Sequence, residues 1–147
     1  MKNNKVLTVC LALSLGAGYA FARPSLQDDE TTPLQESMQG LMSRRRAMRK
    51  LVRDPAAHRS ELLEILEEFR GHALTAFSLP PTAPGSLERT DAALWRVGFQ
   101  RQILTLIDTG LECELAVLKG DTELLGEAYK TLSSTMKAGH DRYKKSD

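Results

Sequence analysis

Leu132-Ser133-Ser134-Thr135-Met136-Lys137-Ala138-Gly139-His140-Asp141-Arg142-Tyr143-Lys144 is the stretch whose reading decides the fold. Apolar residues lead into it at Leu125, Ala128, Tyr129, Leu132 and Met136. That spacing of three and four is the stripe of an amphipathic helix. One further step lands on His140, and Tyr143 follows. The pattern therefore places a histidine on the face expected to be buried. A buried histidine needs a hydrogen-bond partner, a neutral ring or a metal.

Three more stripes precede this one. The first helix is expected over 33–52, opened by Pro33, with Leu34, Met38, Leu41, Met42, Met48, Leu51 and Val52 inward. Arg44, Arg45, Arg46, Arg49 and Lys50 crowd its second half. They read as a solvated face whose cations suit a helix C-terminus; a docking surface for an anionic partner or a membrane surface is the sharper alternative. Asp54-Pro55 reads as an N-cap and first-turn proline for a second helix to about Phe77. Its stripe is Leu62, Ile65, Leu66, Phe69, Ala73, Ala76 and Phe77.

Pro80, Pro81, Pro84 and Gly85 mark a loop. The third helix is expected to start between Ser86 and Asp91 and to end at Gly120. Trp95, Phe99, Ile103, Leu106, Gly110, Cys113 and Val117 form its stripe. A second row, Leu104, Ile107, Leu111, Leu115 and Leu118, is expected to widen the buried face. Asp121 then caps the fourth helix, which runs to about Lys144. Four amphipathic helices with short connections predict an all-α, antiparallel up-down-up-down four-helix bundle.

The N-terminus has the features of an export signal. Lys2 and Lys5 precede an uncharged apolar core from Val6 to Ala17, and Ala20-Phe21-Ala22 fits a small-x-small cleavage site. The core is short for a span of roughly 20 residues. The organisation expected is signal peptide 1–22, flexible leader 23–32 and bundle 33–147, with no stable membrane anchor after cleavage. Cleavage leaves 125 of the 147 residues, with 18 Lys+Arg against 19 Asp+Glu, a net charge of −1. So even a balance gives no electrostatic case for nucleic acid. Cys113 alone survives processing, so no internal disulfide forms. No Cys-x-x-Cys-His attaches a haem covalently. No nucleophile–base pair, phosphate loop or thiolate cluster supports an enzyme.

The expected topology gathers Met38, Phe77, Trp95, Phe99, His140 and Tyr143 at one end. Each has a plain role as core packing. Together they also suit a flat cofactor, since a thioether and an imidazole from opposite sides form an axial pair for haem iron.

Two motifs carry a family likeness: Leu34-x-x-x-Met38-x-x-Leu41, and Leu132-x-x-Thr135-x-x-Ala138-x-His140-x-x-Tyr143. Trp95-Arg96-x-Gly98-Phe99 adds a weaker match. In these the chain resembles the soluble cytochrome b562 family, periplasmic haem b proteins built as four-helix bundles. The resemblance covers nearly all of the chain after residue 22. It implies one noncovalent haem b per chain, with Met38 and His140 as axial ligands and aromatics of helix 3 on the haem. Trp95 with Phe99, or Phe99 with Ile103, supply that wall, because 95–120 is about one turn longer than the family pattern. It further implies a monomeric periplasmic electron-transfer protein, not an enzyme, that serves a redox partner protein. Gly139 stands where the family pattern leads one to expect a larger residue. His72, at the same end, reads as a surface histidine or a rival ligand. A haem-free bundle and a haem sensor with an open coordination position stay open beside this reading.

Overall fold

The computed structural model describes residues 31–143. The expected signal peptide and all but the last two residues of the leader lie outside the described residues. Four helices follow in order: α1 (Pro33–Leu51), α2 (Arg59–Ser78), α3 (Arg89–Lys119) and α4 (Thr122–Tyr143).

Local chemistry sets the helix ends. At the start of α1 the Gln35 amide N–H donates to Thr32 Oγ1 (3.2 Å), and the Thr32 amide N–H donates to Gln35 Oε1 (2.8 Å). This capping box satisfies two donors that a helix otherwise leaves free. Gly120 closes α3 at φ 70°, a left-handed conformation that favours glycine. Asp121 Oδ1 then accepts from the Leu124 N–H at 2.9 Å and caps α4.

The Asp54-Pro55 pair does not cap α2. Asp54 Oδ1 accepts from the Ala57 N–H (3.3 Å) inside a turn, and α2 begins at Arg59 behind His58. The carboxylate is used up four residues before the N-cap position at His58. Arg59 serves the fold differently: its Nη2 donates to the Leu118 carbonyl in the last turn of α3, at 2.8 Å.

Consecutive helices run antiparallel. Between α1 and α2, Gly40 meets His72, and Arg44 pairs with Glu68 at 2.9 Å. Between α2 and α3, Arg59 reaches Leu118, Arg70 pairs with Glu114, and Gln100 donates to the Phe77 carbonyl. Between α3 and α4, Gln102 donates to the Thr135 carbonyl, and Gly98 faces Tyr143. In every set one residue number rises as the other falls. The chain is an all-α up-down bundle packed in sequence order. No described helix is long and apolar enough to cross a membrane.

The core follows the four stripes. Leu41, Leu62, Phe69, Ala73, Cys113 and Leu132 are completely buried. Of the second row of α3, Ile107 packs against this core and the other four do not. Leu104, Leu111, Leu115 and Leu118 are about half exposed, on the side of the helix away from the core. Two apolar faces on one helix look alike in sequence, and only one of them meets α2 and α4.

Two polar residues are buried without disturbing this core. Ser37 Oγ donates to the Pro33 carbonyl (2.9 Å), and Thr109 Oγ1 to the Thr105 carbonyl (2.8 Å). Each hydroxyl is satisfied within its own helix. Leu132→Ala should lower unfolding free energy by about 2–5 kcal/mol, since it opens a cavity at a fully buried site. Denaturant unfolding followed by circular dichroism measures this.

Candidate functional site

The two helices carrying Met38 and His140 are the least closely packed neighbours. α1 and α4 approach less closely than any of the three consecutive pairs. Their seam is tied by Tyr129, whose Oη donates to the Arg45 carbonyl at 3.1 Å.

That bond fixes which flanks of the two helices face one another. Met38 lies seven residues before Arg45, almost two full turns, and so shares its flank. Ser133 and His140 lie four and eleven residues after Tyr129, about one and three turns, and share its flank. The opposite flank of α1 carries Gly40 and Arg44, which meet α2. The other flank of α4 carries Thr135 and Gly139, which meet Gln102 of α3. Met38 and His140 therefore sit on the facing sides of one seam.

Along the seam, Met38 is roughly 10 Å and His140 roughly 16 Å beyond the tie. Long side chains on a helix lean toward its N-terminus. In antiparallel helices those leans converge. Met38 is half-buried, and Ser133 Oγ is buried with no hydrogen-bond partner among the described residues. A buried hydroxyl left unpaired costs on the order of 1–3 kcal/mol.

His140 departs from the expected burial and is exposed. The stripe continues geometrically, but its cover runs out. His140 lies almost level with the start of α1 at Pro33, where that helix no longer screens it. His72 is also corrected. A Cβ on Gly40 would fall 2.4 Å from its ring, so the half-buried imidazole rests directly on the α1 backbone. This is the flank of α1 away from Met38, and His72 does not reach the seam. Gly139 gains a packing role. A Cβ there would lie 3.1 Å from Gln102 Cγ, the side chain that bonds the Thr135 carbonyl.

Of the four aromatics expected at this end, Trp95, Phe99 and Tyr143 meet. Tyr143 stands edge-on to Trp95 and to Phe99, with ring centroids 5.1 and 5.3 Å away. Phe99 is buried and Trp95 half-buried. Edge-to-face pairs of this kind add about 0.5–1.5 kcal/mol each beyond their buried area. The missing side chain of Gly98 makes the arrangement possible, since a Cβ there would sit 2.7 Å from Tyr143 Oη. That hydroxyl is buried and has no partner among the described residues. Ile103, the alternative wall residue, is core at 1% exposure.

Two further features lie apart from the seam. A groove of about 350 Å³ between α3 and α4 is lined by Gly98, Arg101, Gln102, Thr105 and Arg142. Cys113 is buried, and its thiol is pushed up to about 12, first by burial and then by the charge of Glu112. Among the described residues no three His, Cys, Asp or Glu gather as a metal cluster. Comparison with family models, curated proteins and solved structures finds no match to this chain.

Two outcomes follow from this geometry. Gly98→Val should unseat Tyr143 and red-shift the emission of Trp95, the single tryptophan of the chain. The folded state holds the Cys113 proton more tightly than the unfolded state does. The stability this contributes is complete below pH 9.0, the ordinary thiol value, and is lost as pH rises toward 12. Cys113→Ala should flatten that loss, as denaturation midpoints across this window will record.

Proposed function

We propose that the chain is a cytochrome b562-like electron-transfer protein, holding one noncovalent haem b in the α1–α4 seam through Met38 and His140. One observation carries this reading: the methionine and the histidine lie on facing flanks of the most loosely packed seam, at one end of the bundle. Haem iron supplies a reversible one-electron couple when bound. The residues present fit such a group. Met38 offers a soft thioether, and a Met/His pair favours a higher potential than two imidazoles. His140 offers an imidazole nitrogen. Its exposure leaves the second ring nitrogen to water, which would orient the ring as outer-sphere partners do for metal-bound histidines. The Ser133 hydroxyl is free to donate to what fills the seam. Trp95, Phe99 and Tyr143 provide an apolar wall at the same end.

With Met38 and His140 both holding the group, the site would favour electron transfer over chemistry on a bound substrate. The exposed end carrying His140 suits a short path to a redox partner protein. The export features of residues 1–22 support a periplasmic setting.

The test is haem titration of the purified chain, with oxidised and reduced visible spectra. The expected result is stoichiometric binding with sharp low-spin reduced bands. His140→Ala should abolish those bands and weaken binding by more than the roughly 10–100-fold cost of losing an outer-sphere partner. Met38→Ala should lower the midpoint potential and open the reduced iron to carbon monoxide. Absence of stoichiometric binding would overturn the proposal and leave a haem-free helical bundle.

A further inference from the structure

The back of α3 carries an apolar stripe that the bundle leaves uncovered. Leu94, Val97, Leu104, Leu111, Leu115 and Leu118 are between 45% and 65% exposed. Single exposed leucines are ordinary, but a contiguous row is not. This row also has a strict period. Val97, Leu104, Leu111 and Leu118 recur every seven residues, and so do Leu94, Arg101, Asp108 and Leu115, set three residues earlier. Those are the a and d positions of a coiled-coil seam, sustained over roughly 36 Å of helix. The front of α3 meets α2 and α4 through Phe99, Ile103, Leu106, Cys113 and Val117. A helix apolar on both faces is one that is buried on both.

The two polar residues in the repeat select the occupant. Arg101 and Asp108 are exposed, and neither has an ion-pair partner among the described residues. In a parallel pair of α3 helices, Arg101 would face Arg101 and Asp108 would face Asp108. In an antiparallel pair the rows interleave around a two-fold axis level with Leu106. Leu94 then adjoins Leu118 of the second copy, and Val97 adjoins Leu115. Arg101 comes within about 5 Å, along the axis, of Asp108 in the second copy, twice by symmetry. Polar residues at such positions set register and orientation. The stripe is therefore complementary to itself in one orientation.

We infer that the back of α3 is the interface of a homodimer, in which two copies pair their α3 helices antiparallel with reciprocal Arg101–Asp108 ion pairs. Such a two-fold interface is self-complementary and closed. It replaces the monomer that the family resemblance implies, and it stands whether or not haem binds.

The test is sedimentation equilibrium over a wide dilution series on the protein purified from the cells that make it. Wild type should dimerise reversibly. Leu104→Lys/Leu111→Lys, at exposed sites, should keep native helical circular dichroism and be monomeric. Asp108→Arg should raise the dissociation constant by about a hundredfold through like-charge contacts. The swap Arg101→Asp/Asp108→Arg should restore association. A short bismaleimide should join Leu94→Cys chains to Leu118→Cys chains and neither to itself, with buried Cys113 silent. A wild type that stays monomeric overturns the proposal, as does a dimer indifferent to the lysine pair or to Asp108→Arg. Wild-type monomers that adsorb to phospholipid vesicles through the stripe would also overturn it, in favour of a membrane surface.

Discussion

The hydrogen bond from Tyr129 Oη to the Arg45 carbonyl closes the one pair of adjacent helices that no loop joins. α1 is bound to α2, α2 to α3 and α3 to α4 by connections of ten residues or fewer. Short links keep those pairs together at small entropic cost. The first and last helices meet without a connecting loop, and among the described residues this is their one hydrogen bond. The bond is part-buried, and it sits in the half of α1 nearer the 52–58 turn. Beyond it, toward Met38 and His140, the seam is left to packing alone. A bundle that must admit something between two helices would be expected to yield where it lacks both a loop and a polar tie.

Close approach on the other seams makes the contrast sharper. His72 rests on Gly40 between α1 and α2, and the Phe69 ring lies against Gly110 between α2 and α3. Tyr143 and Gln102 fill the spaces over Gly98 and Gly139 between α3 and α4. On the first and third of these seams a large side chain occupies the place of a side chain that glycine lacks, while Phe69 packs on Gly110 at ordinary contact distance. Such interlocking leaves little room for an intruder, and interiors at native density resist small changes of volume.

The sequence made the four helices legible because each buries a stripe whose period is fixed by helix geometry. Leu62, Leu66, Phe69, Ala73 and Ala76 were readable as core for that reason, and all are buried. Periodicity does not say which of two apolar faces meets the core, so the Leu104 row was misplaced. It also carries no information about where a neighbouring helix begins. His140 continues its stripe faithfully, yet it emerges where α1 starts. The Met38 and Trp95–Phe99–Tyr143 placements were legible from topology, which sets which ends share a level. The seat of His72 was not, because it depends on the absence of a side chain on another helix. Gly40 was the available signal: a glycine inside a helix costs roughly 1 kcal/mol and asks for a compensating contact.

The described chain enters the bundle at Thr31 and leaves it at Tyr143, and an even number of antiparallel helices brings both points to the same end. The long Pro80–Gly85 loop lies there as well. Among the described residues the far end has only the 52–58 turn and the tight Gly120 corner. The described bundle thus carries both of its ends and its longest loop on one cap and two short turns on the other. A host protein could accept it within a surface loop without stretching, since the strands of the host would enter and leave side by side. Cutting the chain at the 52–58 turn and joining the two ends would likewise need only a short bridge. The same architecture that exposes His140 at the cap with both ends therefore makes this fold portable as a cassette.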